Sequence, residues 1–111
     1  MPEWARFQRW VARKFKKAGF DAKVRAQAGG GFGVPDVESE PFHVECKSYE
    51  ASRPDIPKAV MQAKVDSVGK CDRYPIAITK YRDEKPIVSM YFADFLNLRL
   101  EYENGKEENA M

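Results

Sequence analysis

The segment from Val34 to Lys47 places the strongest constraint on the fold of this chain, because its side chains alternate in character. Apolar and polar residues follow one another in the order Phe42, His43, Val44, Glu45, Cys46, Lys47. Successive side chains of a strand point to opposite faces of a sheet. The alternation therefore predicts a strand over Phe42–Tyr49 that presents Glu45 and Lys47 on one face.

A short extended segment and a turn precede this strand. Asp36 follows a proline, and the run Ser39–Pro41 has the composition of a turn. Such a turn folds the earlier segment back as a hairpin, so we expect Asp36 to lie beside Glu45. Glu45 and Lys47 are separated by about 6.5–7 Å along a strand, so a carboxylate and an amine can reach one phosphate and one cation.

These residue types suit phosphate chemistry with a bound cation. Mg²⁺ is usually held by one or two carboxylates, several waters and substrate phosphate. We predict that Asp36 and Glu45 bind Mg²⁺, that the backbone carbonyl of Cys46 completes the shell, and that Mn²⁺ can substitute. A bound cation activates water, and Lys47 is predicted to stabilise the charge that develops on the phosphate. The pattern suggests a metal-dependent nuclease; the alternative is a strand whose polar face is simply solvated.

Other short motifs extend this pattern along the chain. A glycine-rich run, Ala28–Gly33, comes just before Asp36 and allows close approach of the backbone to a ligand. The remaining motifs are Gln8-Arg9, Ala18-Gly19-Phe20, Val24-Arg25, Pro35-Asp36-Val37 and Glu45-Cys46-Lys47. Together they resemble the PD-(D/E)XK nuclease superfamily, and within it most closely the small Holliday junction resolvases of archaeal and phage type. Tyr74–Lys80 and Pro86–Phe95 look like the later strands and final helix of phage members.

The resemblance implies a fold, a function and a set of contacts. It implies a restriction-endonuclease-like α/β sandwich over residues 1–100, with a central mixed β-sheet flanked by helices. Residues 101–111 are acidic and polar, and from this composition we expect a flexible tail. It implies a DNA endonuclease that cuts four-way junctions as a homodimer, since two opposed cuts need two sites. DNA contacts are expected at Arg9, Arg25, Gly30 and Gly31. The expected location is the cytoplasm, or that of a host cell if the chain is phage-encoded.

One departure from the resolvase pattern concerns the first helix. Resolvases often carry a glutamate next to an arginine near the metal site, whereas this chain has Gln8 before Arg9. An amide can hydrogen-bond a metal-bound water but brings no negative charge. We take Gln8 as the positional equivalent and predict it as a catalytic residue together with Asp36, Glu45 and Lys47.

The charges of the chain are unevenly distributed. A formal net charge of +2 is too small to imply nucleic-acid binding. The first 35 residues are nevertheless basic, with only Glu3 and Asp21 against Arg6, Arg9, Arg13, Lys14, Lys16, Lys17, Lys23 and Arg25. An apolar stripe predicts a helix with an outward basic side; it consists of Trp4, Phe7, Val11, Phe15 and Ala18. Phosphate contacts from that side would add affinity without sequence preference, or the side is merely solvated.

The spacing of apolar residues and the positions of glycine and proline predict the helices and strands of the domain. Helices are expected over Glu3–Ala18, Lys58–Val68 and Asp94–Leu100, and strands over Phe20–Gln27, Pro35–Ser39, Phe42–Tyr49, Tyr74–Tyr81 and Pro86–Phe92. The second helix is expected to bury Val60, Met61, Val65 and Val68. Cys46 and Cys71 lack metal-ligand spacing and are interpreted as reduced, structural residues. With no membrane-length apolar run and no secretory signal pattern, we expect an intracellular protein.

Three functional hypotheses fit these features. The first is the junction resolvase, and the second is a nicking, flap or linear-duplex nuclease of the same superfamily that uses the same chemistry. The third is a DNA-binding module with impaired catalysis, which Gln8 favours and the intact Asp36, Glu45 and Lys47 disfavour. The roles of His43, on the face of Glu45, and of Gln62, on the second helix, stay open.

Overall fold

A computed structural model describes residues 1–25, 36–68 and 74–110 of the chain, with residues 106–110 as backbone only. The elements in chain order are α1 (Glu3–Lys17), β1 (Lys23–Val24), β2 (Val37–Ser39), β3 (Phe42–Tyr49), α2 (Ile56–Asp66), β4 (Tyr74–Tyr81), β5 (Ile87–Met90) and α3 (Phe92–Ala110). This is the predicted order. None of the helices in the described ranges combines the length and the apolar character needed to cross a membrane.

The strands form one mixed sheet in the order β1-β2-β3-β4-β5. Neighbouring strands are antiparallel except for β3 and β4, which are parallel over their whole length. A parallel pair needs a crossover connection, and α2 supplies it. β3 is therefore the central strand and is covered on both faces, which decides the environment of its polar residues.

One face of the sheet packs against α1. Their shared core consists of Phe7, Val11, Ala12, Ala22, Val37, Val44, Cys46, Ile76 and Ile78. Of the predicted apolar stripe, Phe7 and Val11 belong to this core and Phe15 packs against it partly buried. Trp4 is 48% exposed and Ala18 lies at the exposed end of the helix. The buried face of α1 instead includes Gln8, which is only 5% exposed. An apolar helix face thus carries one buried amide.

Aromatic rings anchor the C-terminal end of α1. Phe15 contacts Phe20 and Phe42 edge-on, with ring centroids 5.2 and 6.2 Å apart, and Phe42 in turn contacts Tyr74 on β4. Gly19 ends the helix with a φ of 98°, a left-handed conformation that glycine adopts readily and that suits a helix C-terminus. The predicted end of the helix before Gly19 is confirmed.

The other face of the sheet packs against α2, by residues that differ from those predicted. Small side chains face the sheet, namely Ala59, Val60 and Ala63. Of the predicted apolar face only Val60 is buried; Met61, Val65 and Val68 are 59%, 48% and 75% exposed. Alanines let a helix lie close to a sheet, so the larger residues turn outward. The helix also begins earlier than Lys58, because Asp55 caps it by accepting a hydrogen bond from the Lys58 N–H at 3.1 Å.

Three further boundaries differ from the prediction. β1 covers only Lys23–Val24 of the expected Phe20–Gln27, of which residues 26 and 27 lie outside the described part, and β5 is limited to Ile87–Met90. α3 continues to Ala110, well past the expected Leu100. The residues predicted as a tail are thus helical up to Ala110, and the division into a domain and a flexible tail stays a prediction.

Candidate active site

The polar face of β3 is buried. His43 and Glu45 are 0% and 4% exposed, although both alternate with the apolar residues that pack on α1. Their burial follows from the central position of β3, because α2 covers the face that α1 does not. The hypothesis that this face is simply solvated is therefore wrong. A carboxylate in such a place needs a partner or a function.

Two backbone contacts fix Asp36 beside Glu45. The β2–β3 pairing ends with Val37 opposite Val44, and the Asp36 N–H donates to the Val44 carbonyl at 3.0 Å. The Cys46 N–H then donates to the Asp36 Oδ2 atom at 2.9 Å. The hairpin that the sequence predicted is confirmed, and it places the carboxylate of Asp36 next to the strand segment that carries Glu45.

The predicted catalytic side chains line one open cleft of about 340 Å³. Its lining consists of Trp4, Gln8, Asp36, Glu45, Cys46, Lys47, Ser48, Tyr49 and Gln62. α1 contributes Gln8 from one side of the sheet, and α2 contributes Gln62 from the other. The structure therefore brings together all five residues predicted to be catalytic or metal-binding, while their chemical roles stay predictions. His43 does not line the cleft.

The carboxyl group of Glu45 is in an unfavourable place for a negative charge. Its pKa is raised from 4.5 to about 8, chiefly by burial and then by the nearby charges of Asp36 and Asp66, although Lys47 acts to lower it. Its Oε2 atom has no hydrogen-bond partner among the described residues. A buried acceptor of this kind, beside a second carboxylate, is suited to a positive ligand.

The two carboxylates of the cleft suit a hard divalent cation such as Mg²⁺. Among the residues that the structure describes, no group of three or more His, Cys, Asp or Glu side chains could hold a metal. A closed structural site is thus not formed there, but Mg²⁺ needs only one or two carboxylates and retains several waters. Asp36 and Glu45 meet that requirement. Burial raises the pKa of the Cys46 thiol, so only its backbone carbonyl is a candidate ligand.

The predicted DNA-binding residues are differently placed. Arg9 is exposed on α1. Arg25, the residue after β1, forms an ion pair with Glu38 of β2, with Nε and Oε2 at 3.1 Å. Its backbone N–H donates to the Asp36 carbonyl at 3.2 Å. Arg25 is therefore tied directly to the segment that carries a predicted metal ligand. Gly30 and Gly31 lie outside the described residues.

Sequence reasoning missed two contributors to the cleft. Trp4 was assigned to the buried stripe, but it lines the cleft and is half exposed. The signal was present, since residues four apart share a helix face and Trp4 precedes Gln8 by four. Asp66, at the end of α2, adds negative charge near Glu45. Only the packing of α2 on the sheet shows that effect.

Comparison with known proteins identifies the fold. No protein-family model and no curated protein sequence matches this chain. A solved structure of Hjc, a Holliday junction resolvase from the archaeal hyperthermophile Archaeoglobus fulgidus, is similar with a TM-score of 0.62 and 20% identity, over 80% of this chain and 73% of that chain. This chain has the fold of that resolvase. The predicted restriction-endonuclease-like sandwich is confirmed, whereas the likeness to phage members stays a prediction.

We expect Glu45→Gln to stabilise the protein in buffer containing EDTA, and more at high pH. Because the pKa of Glu45 rises from 4.5 to about 8 on folding, the native state binds a proton that the unfolded state does not between these values. The associated stability is present below pH 4.5 and is lost as the pH rises through 8. Glutamine mimics the protonated form at every pH.

The melting temperature, followed by circular dichroism, measures this effect. At about pH 9 the variant is expected to melt at least about 4 °C above the wild type, which corresponds to roughly 1 kcal/mol in a domain of this size. The difference is expected to shrink towards pH 5. Glu50→Gln, at an exposed position just after β3, is the control. Equal melting temperatures of the wild type and Glu45→Gln at pH 9 would contradict the assignment.

Proposed function

We propose that this protein is a metal-dependent DNA endonuclease that hydrolyses phosphodiester bonds at four-way junctions. The observation that carries the proposal is the pair of carboxylates, Asp36 and Glu45, that the β2–β3 hairpin brings together in an open cleft, with Lys47 two residues further along β3. The fold likeness to a Holliday junction resolvase supports branched DNA as the substrate. Mg²⁺ is the proposed cation, and Mn²⁺ the proposed substitute.

The chain's own groups have distinct parts in this reaction. Asp36 and Glu45 hold the cation, which when bound supplies an activated water and offsets charge on the phosphate. The Asp36 carboxylate is kept in position by the Cys46 N–H, so one of its oxygens is already oriented. Lys47 lies close enough to lower the pKa of Glu45. Its ammonium group donates hydrogen bonds to a phosphate oxygen as negative charge builds up there.

Gln8 closes the cleft on the side of α1. The residue is only 5% exposed, so the surrounding packing holds its side chain in place. We propose that it orients a water in the cleft without adding charge. We propose that the enzyme is active with glutamine at this position. Cleavage assays on several DNA substrates would reveal a module that binds junctions without cutting them.

DNA affinity is proposed to come from basic residues around the cleft. The outward side of α1 is exposed and basic, carrying Arg6, Arg9, Arg13, Lys14, Lys16 and Lys17. Arg9 directly follows Gln8, which lines the cleft, whereas Arg6 and Arg13 line a separate pocket beside Asp83 and Glu84. Arg25 adds a cation next to Asp36. Phosphate contacts of this kind carry no sequence information and suit an enzyme that recognises DNA shape.

The outer face of α2 supports the proposed homodimer. Met61 and Val65 of α2 are 59% and 48% exposed, and Val68, two residues after the helix, is 75% exposed. They point away from the sheet, because Ala59 and Ala63 occupy the opposite side of the helix. A second copy packed on this stripe would remove apolar surface from water and give the dimer two cleavage sites.

We expect Asp36→Asn and Glu45→Gln each to reduce junction cleavage by about a hundredfold or more, because each removes a charge that holds the cation. Junction affinity in EDTA should stay within about threefold, since the basic residues are intact. Cleavage is measured with Mg²⁺, with Mn²⁺ and with EDTA, on four-way junction, flap, nicked and linear DNA, beside the Glu50→Gln control. Wild-type rates from either variant would refute the metal site. Equal cutting of all substrates by the wild type would refute junction selectivity. A wild type that binds junctions but cuts no DNA would favour the DNA-binding module with impaired catalysis.

Lys47 is expected to differ from the arginines in its kinetic effect. Lys47→Ala should lower the single-turnover rate by about a hundredfold while changing junction affinity little, because its interaction strengthens in the transition state. Arg9→Ala and Arg25→Ala should weaken binding and reduce its salt dependence. Single-turnover cleavage and fluorescence anisotropy over a salt series measure the two effects. If Lys47→Ala lost rate and affinity in equal proportion, it would be an ordinary phosphate contact.

Val65→Glu is expected to convert the dimer into a monomer of 12.7 kDa, because it buries a charge in the proposed interface. Analytical ultracentrifugation at micromolar concentration measures the mass. Val88→Glu is the matched control, since Val88 is an equally apolar side chain on β5 that is 62% exposed. A monomeric wild type, or dissociation by the control alone, would rule out the α2 interface.

A further inference from the structure

Two aromatic side chains lie on the rim of the cleft and have no part in the chemistry proposed above. Trp4 comes from the first turn of α1, and Tyr49 is the last residue of β3. Both line the same cleft as Asp36 and Glu45. The rings thus approach the carboxylates from two different elements of the fold.

Both rings are held on ordered backbone and are open to solvent. Trp4 is 48% exposed and Tyr49 is 40% exposed. Trp4 lies one helical turn before the buried Gln8, so its direction relative to the cleft is set by α1. The Tyr49 carbonyl accepts a hydrogen bond from the Arg82 N–H at 2.9 Å, which fixes the end of β3. Exposed large rings at fixed positions beside a polar cleft differ from apolar residues scattered over a surface.

The neighbouring aromatic residues contact other rings or cationic side chains of the same chain. Trp10 stacks on Phe7 with ring centroids 6.0 Å apart. Tyr81, which pairs with Tyr49 across β3 and β4, is covered by the guanidinium groups of Arg53 and Arg82 at 4.6 and 4.9 Å. In the described part of the chain, Trp4 and Tyr49 have no comparable ring or cation contact. Two aromatic faces beside the carboxylates are therefore available to a ligand.

We propose that Trp4 and Tyr49 bind unstacked nucleobases on either side of the phosphate held at Asp36 and Glu45. The inference rests on the proposed function for the position of that phosphate. Aromatic side chains stack on any base, because every base has a π-face. A continuous duplex hides those faces in its own stack, whereas bases at a branch point can be splayed out of it. The rim therefore selects branched or single-stranded DNA without reading its sequence.

The chemistry of the cleft favours contact of the two rings with bases over contact of the rings with the sugar-phosphate backbone. Its floor carries two carboxylates that accept a phosphate only through a cation, and its rim carries two rings that suit bases. The volume of about 340 Å³ is within the range of small-ligand sites. A nucleotide bound with its phosphate inward and its base against a ring satisfies both regions of the cleft.

Binding to DNA that contains 2-aminopurine tests the proposal. A four-way junction, a single strand and a linear duplex carry the fluorescent base at successive positions. Binding is measured with Ca²⁺ in place of Mg²⁺, so that the carboxylates can hold a hard cation while its different coordination geometry disfavours cleavage. Trp4→Ala and Tyr49→Ala should each weaken binding of the junction and the single strand about tenfold and should alter the 2-aminopurine signal next to the branch. Trp4→Phe and Tyr49→Phe retain a ring and should restore both. Linear duplex binding should change less than about twofold.

Two further measurements separate stacking from a structural effect. In a Trp10→Phe background Trp4 is the remaining tryptophan, so its emission should be quenched by an added single strand. Replacing the stacked base with an abasic position should weaken wild-type binding and should add nothing to Trp4→Ala. Melting temperatures of all variants should stay within about 2 °C of the wild type, since both side chains are substantially exposed.

The outcomes distinguish the inference from the proposed function. Junction cleavage by Trp4→Ala and Tyr49→Ala at wild-type rate and affinity would overturn the inference and leave the nuclease intact. Equal losses on linear duplex and junction would also overturn it, because the rings would then be general contacts. A wild type that cuts no DNA, yet shows quenching of Trp4 and ring-dependent preference for unpaired bases, would refute the nuclease and support the inference.

Discussion

The hydrogen bond from the Cys46 N–H to the Asp36 carboxylate is the contact on which the proposed site depends. Together with the bond from the Asp36 N–H to the Val44 carbonyl, it joins the start of β2 to the centre of β3. β3 lies under both helical layers, so this contact fixes Asp36 relative to the whole domain. Glu45 then faces a second carboxylate in a buried environment, and its raised pKa follows from that geometry.

Local periodicity predicted the two longest strands, β3 and β4, because the alternation of side chains is a property of the strand itself. Phe42–Tyr49 and Tyr74–Tyr81 have the predicted bounds, and the hairpin that positions Asp36 follows from its turn residues. The sequence could not show which polar face is buried, since that depends on α2. The apolar stripe of α2 was misassigned for the same reason: hydrophobicity favours Met61 and Val65, whereas close packing on the sheet selects Ala59 and Ala63.

The candidate site was predictable where its residues are close in sequence. Asp36, Glu45 and Lys47 lie within one hairpin. Their spacing in the sequence and the alternation of side chains along a strand were therefore sufficient to place them together. Gln8 required the resemblance to resolvases, because a helix far along the chain reaches the cleft only through packing. Trp4 was missed because an aromatic ring at helical spacing usually belongs to a core. The charge of Asp66 acts across two elements and leaves no local pattern in the sequence.

The ring cluster at the C-terminal end of α1 fixes that end of the helix against the sheet. Phe15 holds one end of α1 against Phe20 and Phe42, while Gln8 and Trp4 lie towards the other end, in a helix about 22 Å long. A tilt of about 3° around the anchored end displaces the opposite end by roughly 1 Å, an error that can cost an active site about a hundredfold in rate. Substitutions in the aromatic cluster of Phe15, Phe20 and Phe42 are therefore expected to affect the cleft although they lie far from it.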